Sequence, residues 1–347
     1  MSLTSTHPEY DEMLDDWRQM RDTYRGQREV KRAGSLYLPP TRSMIIDGAL
    51  RAQEPGLSVY TSYIQRAVFP DLVKVAAHTM VGLIMKDPAE YILPPAMEPL
   101  LDTATKDGEG LVDLHRRILL NQLVYGRFGL ATDVAASRPL PYFVPIKAEY
   151  IKNWDSFDFP QEPNNLSLVV TCEDVRVRGK EGAANSYAWT VEERFRAMEI
   201  NEFGQYQTYT EQNGEASELI VPEYQGRPLE FIPFTFIGAQ DLVTTPGAIP
   251  LHGISNAALS IYCGEADLRQ TLHMIGQDTL VVIGVSPGSE EDEDGEETRV
   301  GANAILELPE GGDAKYIGVN GEGLTEQRLV LDDDYKKANA EGSRLLE

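Results

Sequence analysis

The chain has 347 residues, 31 Lys+Arg against 55 Asp+Glu, a formal net charge of −24 and a sequence pI of 4.6. That length allows two or three domains of roughly 150 residues and a sizeable buried core. The charge excludes a protein that grips DNA through a broad basic surface, because phosphate binding needs clustered Lys and Arg; handling a polyanion without tight binding stays open.

Residues 9–32 read as a first helix. Met13, Trp17, Met20 and Tyr24 form an apolar stripe at helical period, Pro8 suits the first turn and Gly34 a stop. Arg18, Arg21, Arg25, Arg28 and Arg32 form a basic stripe beside it. It reads either as a solvated face paired with Asp15 and Asp22 or as a surface for an anionic partner. Residues 35–69 read as irregular, with Pro39-Pro40 and Glu54-Pro55-Gly56 as breakers. A helix is predicted over 70–86, with Leu72, Val75, Ala76, Thr79 and Leu83 on one face, then a short strand at Tyr91-Ile92-Leu93. Another helix is expected over 110–125, capped by Gly126, followed by a strand over 128–134.

The texture then turns to β. Strands are expected over 166–177, 187–200 and 205–210, with a hairpin turn at 201–204. An apolar run over 229–237 contains Pro233, which predicts an edge or an irregularity. Residues 252–275 carry Ile254, Ala258, Ile261, Leu268, Leu272 and Ile275 in helical phase. Three β segments follow, over 279–285, 302–308 and 315–319, with an acidic loop over 289–298. A last helix resumes at Leu324, with Arg328, Leu331 and Tyr335 on its face, and reads as cut off at Glu347.

Two cysteines, Cys172 and Cys263, are too few for a disulfide framework or a four-thiolate zinc site. They read as small buried hydrophobes in a reducing compartment. No secretory signal and no apolar run of ~20 residues are visible, so no membrane is expected, and the sequon at Asn165 is expected to be idle. No phosphate loop, dinucleotide fingerprint, zinc-protease motif or nucleophile elbow occurs. The five histidines are scattered; His78 and His115 fall within helical patterns and read as structural. Asp155 and Asp158 could form a carboxylate pair but lack a partner motif. Glu290, Asp292, Asp294 and Gly295 match the early positions of a calcium loop. The bidentate Glu required at its last position is replaced by Gly301, so the register fails. The default is a loop extended by repulsion among Glu290, Glu291, Asp292, Glu293, Asp294, Glu296 and Glu297. No catalysis, metal or cofactor is expected.

Four phrases carry a resemblance: His7-Pro8-Glu9-Tyr10; 123–130, Leu-Val-Tyr-Gly-Arg-Phe-Gly-Leu; 226–234, Gly-Arg-Pro-Leu-Glu-Phe-Ile-Pro-Phe; and 308–314 running to 321–324, Gly-Glu-Gly-Leu. In this order, with the closing helix–β–helix layout, the chain resembles the portal proteins of tailed phages and prophages, the head-to-tail connector family. The resemblance implies an α+β fold with a wing, a helical stem and a small clip. It implies a ring, usually of twelve subunits, at one capsid vertex, through which double-stranded DNA is packaged and ejected without sequence-specific binding. Residues 1–60 then correspond to an N-terminal helix and arm, 61–251 to the wing, 252–276 to the first stem helix, 277–323 to the clip, and 324–347 to the start of the second stem helix. The tunnel loop and crown of the family are missing.

The implied partners are a terminase, a head–tail adaptor, the major capsid or scaffolding protein, and further copies of the chain. The implied location is the virion, at the portal vertex, after assembly in the host cytoplasm. Asp332, Asp333, Asp334, Lys336 and Lys337 become channel-lining or subunit-contact candidates. The seven loop carboxylates become clip-docking candidates, and Arg18, Arg21, Arg25 and Arg28 candidates for the capsid or another anionic partner. A ring of about twelve such chains would carry a charge on the order of −290, which keeps DNA centred rather than held. Two other classes stay open: another virion structural protein, such as an adaptor or minor capsid component, and a hydrolase acting through Asp155, Asp158 and a histidine.

Overall fold

The computed structural model describes residues 3–87, 89–135, 138, 140–157, 165–179, 187–275, 279–283, 313–317 and 322–344. The helices are α1 (Pro8–Arg25), α2 (Gln27–Ala33), α3 (Arg42–Ile46), α4 (Pro55–Arg66), α5 (Leu72–Ile84), α6 (Leu111–Tyr125), α7 (His252–Ile275) and α8 (Glu322–Arg344). The strands are β1 (Arg127–Asp133), β2 (Tyr142–Lys147), β3 (Ile151–Ser156), β4 (Leu166–Arg178), β5 (Trp189–Ile200), β6 (Tyr206–Gln212), β7 (Glu215–Ala216), β8 (Glu223–Tyr224), β9 (Arg227–Pro228), β10 (Phe234–Gly238), β11 (Thr279–Ile283) and β12 (Asp313–Ile317). This is an α+β chain with separate antiparallel sheets in the orders β10-β1-β2, β3-β4-β5-β6-β7, β8-β9 and β11-β12. It divides into two units, one of Met1–Val30, Asp71–Ala258 and Ala340–Glu347, the other of Lys31–Pro70 and Leu259–Asn339.

In the first unit, α1 begins as the sequence predicts. Pro8 occupies the first turn, where its missing N–H costs nothing, and the His7 imidazole accepts the Glu9 N–H at 3.2 Å. Trp17 and Met20 are fully buried, each contributing roughly 1.5–3 kcal/mol of apolar burial. The single helix expected over 9–32 is two. Gly26, at φ +90°, ends α1 with its N–H on the Asp22 carbonyl. That φ is one L side chains rarely adopt, so the position calls for glycine.

α1 shares one core with α5, α6 and the two larger sheets: Tyr10, Trp17, Val73, Ala77, Val124, Ile151, Val169, Met198 and Phe234 are among its buried members. α5 turns a different face inward from the one predicted, burying Val73, Ala77, Met80 and Val81 while Val75 and Leu83 are exposed. The helix is apolar nearly all round, so periodicity alone could not choose. α6 ends at Gly126, whose φ of +68° closes the helix as predicted, its N–H on the Gln122 carbonyl.

β4 and β5 pair continuously from Leu168↔Glu199 to Arg178↔Trp189. The turn after β5 is built by Asn201, whose Oδ1 accepts the Phe203 and Gln205 N–H groups at 2.9 Å. Of the run 229–237, only the part after Pro233 joins a ladder, as β10 at the sheet edge. β2 and β3 are not among the strands the sequence predicts, and Asp155 lies on β3. Tyr91-Ile92-Leu93 forms no strand, and Ile92 is largely exposed.

In the second unit, the stretch read as irregular contains α3 and α4, with Pro55 serving as the first residue of α4 rather than as a breaker. Tyr60 and Tyr63 point inward from α4. Tyr60 Oη donates to the Leu38 carbonyl at 2.7 Å, and Tyr63 Oη to Asp267 Oδ1 on α7 at 2.5 Å. Phe69 meets Tyr262 edge-on at 5.9 Å. β11 and β12 pair antiparallel from Thr279↔Ile317 to Ile283↔Asp313. The segment expected over 302–308 lies outside the described residues.

Candidate functional site

Three places in the structure gather groups that could do work. The first is a buried stack in the first unit. Arg127, the opening residue of β1, is 1% exposed. Its guanidinium lies 3.9 Å from the Trp154 ring and 4.2 Å from the Phe236 ring. Trp154 stacks on His7 at 4.1 Å. Arg127 Nη2 donates to the Thr244 carbonyl at 2.6 Å, while Nε and Nη1 have no hydrogen-bond partner, and neither does Glu9 Oε2. Burial pulls the Arg127 pKa down to about 9, with Glu9 opposing it, so the group remains a cation at neutral pH. Two of the sequence phrases, His7 to Tyr10 and 123–130, therefore meet in one packed column. Trp17 Nε1 joins them again through the Tyr125 carbonyl at 3.0 Å.

The second place is a cleft of about 320 Å³ lined by residues of β1, β2, β4, β5, α6 and connecting segments. Its charges are largely matched. Arg196 pairs with Asp133 at 2.8 Å, Arg117 with Glu109 at 3.0 Å, and Tyr150 Oη donates to Asp174 at 3.0 Å. Burial first, then Arg25, Arg117 and Arg21, lower the Lys147 pKa, with Glu149 opposing. Burial pushes the Cys172 thiol up to about 11, so it is protonated at neutral pH and is not an activated nucleophile.

The third place is the helix pair α7 and α8. In the second unit, Leu331 of α8 is buried, and a Cβ at Gly264 of α7 would stand 3.2 Å from its Cδ1. In the first unit, Gly342 of α8 and Ile254 of α7 are in ordinary contact, at 3.9 Å by the same measure. Each unit thus holds one α7–α8 contact, and β11 and β12 lie between the two helices in sequence.

The predicted site residues fall as follows. Asp332, Asp333, Asp334, Lys336 and Lys337 all lie on α8, where Lys336 pairs with Asp333 at 3.0 Å and Lys337 with Asp334 at 3.4 Å. Two of the three carboxylates are therefore matched within the helix by pairs that are largely exposed and contribute little to stability. Arg18, Arg21 and Arg25 lie on α1 and Arg28 on α2. Arg18, Arg25 and Arg28 are exposed. Arg21 instead pairs with Asp22 at 3.0 Å and Glu149 at 2.9 Å, a partner 128 residues away that no local spacing could show. The carboxylates from Glu290 to Glu297, and Asp158, lie outside the described residues. Asp155 is exposed and caps the Ser156 N–H at 2.9 Å. His78 and His115 meet Tyr24 and Tyr91 respectively. Among the described residues no three His, Cys, Asp or Glu side chains converge as a metal-binding group, and no helix is long and apolar enough to cross a membrane.

One consequence can be measured directly. Burial, reinforced by the bond to Asp267, raises the Tyr63 pKa well above the usual 10. Its neutral form therefore stabilises the fold fully below pH 10, and that contribution is lost as the unfolded chain ionises above it. Tyr63→Phe is expected to cost about 1 kcal/mol in urea unfolding at pH 7. The gap to the parent should narrow between pH 10 and 11.5; a gap that stays constant would show that the hydroxyl is not held neutral.

Comparison with known proteins gives matches of two kinds. A family described as Domain of unknown function (DUF4055) matches residues 250–347. Among solved structures, the chain is similar to one from the "Virion of native gene transfer agent (GTA) particle", with 13% identity, covering 85% of this chain and 72% of that chain, at a TM-score of 0.37. No curated protein matches.

Proposed function

We propose that the chain is a portal subunit of a tailed phage or prophage, forming a closed ring at one capsid vertex through which double-stranded DNA passes. The observation that carries this reading is the run α7–β11–β12–α8, in which two long helices that meet at Gly264 and Leu331 are joined through an antiparallel strand pair. The sequence phrases shared with that family precede and enter the run in the same order. The family match over 250–347 spans the whole run, which supports treating it as one unit. A net charge of −24 per chain suits a wall that DNA must slide past, since tight phosphate contacts would brake it. In this reading the subunit performs no chemistry. A separate terminase drives packaging, and a head–tail adaptor docks on the strand-bearing end.

Negative-stain microscopy of the purified full-length protein tests the reading. Closed rings are expected. Monomers alone, or open filaments, would contradict it. Closed rings with no lumen wide enough for duplex DNA would point instead to another virion structural protein, such as an adaptor or minor capsid component.

A further inference from the structure

The second unit exposes two dissimilar faces of matching pattern. α3 buries Met44 and turns Arg42, Ile45 and Ile46 outward at spacing i, i+3, i+4; Ile45 is 53% and Ile46 74% exposed. The exposed Leu50 and Arg51 follow directly. α8 buries Leu331 and Ala338, and its opposite side carries Glu326, Leu329 and Val330 at the same spacing, with Asp333 one turn on. Leu329 is 53% and Val330 62% exposed. One face reads cation–apolar–apolar and the other anion–apolar–apolar.

The charge is also divided. Residues 31–70 hold five Lys and Arg against Asp47 and Glu54, a net of +3 in a chain of −24. Among the described residues Asp333 pairs with Lys336, and that pair is exposed, so it competes weakly with a new partner. Apolar side chains left exposed together within a charged rim mark an interaction surface.

We propose that the Arg42–Ile45–Ile46 face of one subunit packs against the Glu326–Leu329–Val330 face of the next copy of this chain. The proposal rests on the ring reading above and names its contact. Because the two faces differ, the contact is head-to-tail, and repeating it generates a ring when the rotation closes.

The test uses the full-length chain. Ile46→Cys and Val330→Cys together, bridged with a short bis-maleimide, should give a ladder of covalent oligomers on a denaturing gel. Either substitution alone should not. Both positions are exposed, so folding is not at stake. In parallel, Arg42→Glu with Arg51→Glu should raise the concentration needed for half-assembly about tenfold or more, and adding Glu326→Arg with Asp333→Arg should restore it. If the parent forms rings yet the double-cysteine variant gives no ladder, the contact is wrong and the ring reading stands. Loss of assembly without rescue would give the α3 face to another partner and overturn the proposal. A parent that stays monomeric would remove both readings.

Discussion

Arg127→Ala is expected to cost about 3–5 kcal/mol in urea unfolding at pH 7, and Arg127→Met less than about 1 kcal/mol. The side chain fills the slot between Trp154 and Phe236, so alanine leaves a cavity beside two large rings and His7 loses the far side of its stack. Methionine refills much of that slot and makes favourable sulfur–aromatic contacts. It also removes a desolvated cation whose Nε and Nη1 are unbonded, which offsets the loss of the bond to Thr244. A methionine variant as damaged as the alanine one would show that the charge itself is needed, through Glu9. The alanine effect should be large because the stack ties the chain's first turn of helix to β1, β3 and β10.

Leu331→Asp is expected to cost on the order of 3 kcal/mol or more and to abolish ring assembly. The carboxylate would enter the narrow contact with Gly264, beside Glu265, its neighbour in sequence on α7. Leu331→Ala should cost less, about 2 kcal/mol, because it only opens a gap at a helix pair that is partly exposed. Urea unfolding and mass photometry check both values. Parental stability in Leu331→Asp would mean that α8 does not pack on α7, and the main structural support for the portal reading would go.

The elements that were legible in the sequence are those whose amphipathic pattern is local and strong. α1 announced itself through Pro8 and the stripe to Tyr24, α6 through its apolar stripe and Gly126, and α7 through its long helical phase. β4 and β5 were marked by β-branched and aromatic residues. What escaped was decided by context. The break at Gly26 rests on a left-handed backbone turn that glycine permits but does not dictate. α4 was hidden because Pro55 can either stop a helix or start one, and only the chain around it chooses. The cleft and the Arg127 stack escaped because they join β1, β2, β3 and β10, which meet only after folding. Arg127 itself sat in a phrase singled out for resemblance, with nothing in its spacing to show that it would be buried. The α8 candidates all lie on that helix, where Lys336 and Lys337 pair with Asp333 and Asp334 at i,i+3.

A symmetric cryo-electron reconstruction of the full-length protein tests the portal reading most directly, through the lumen of the assembly. The expected result is a closed ring with an axial channel that clears duplex DNA, with α7 and α8 surrounding it. A closed particle with a blocked axis, or one in which those helices lie away from the channel, would contradict it.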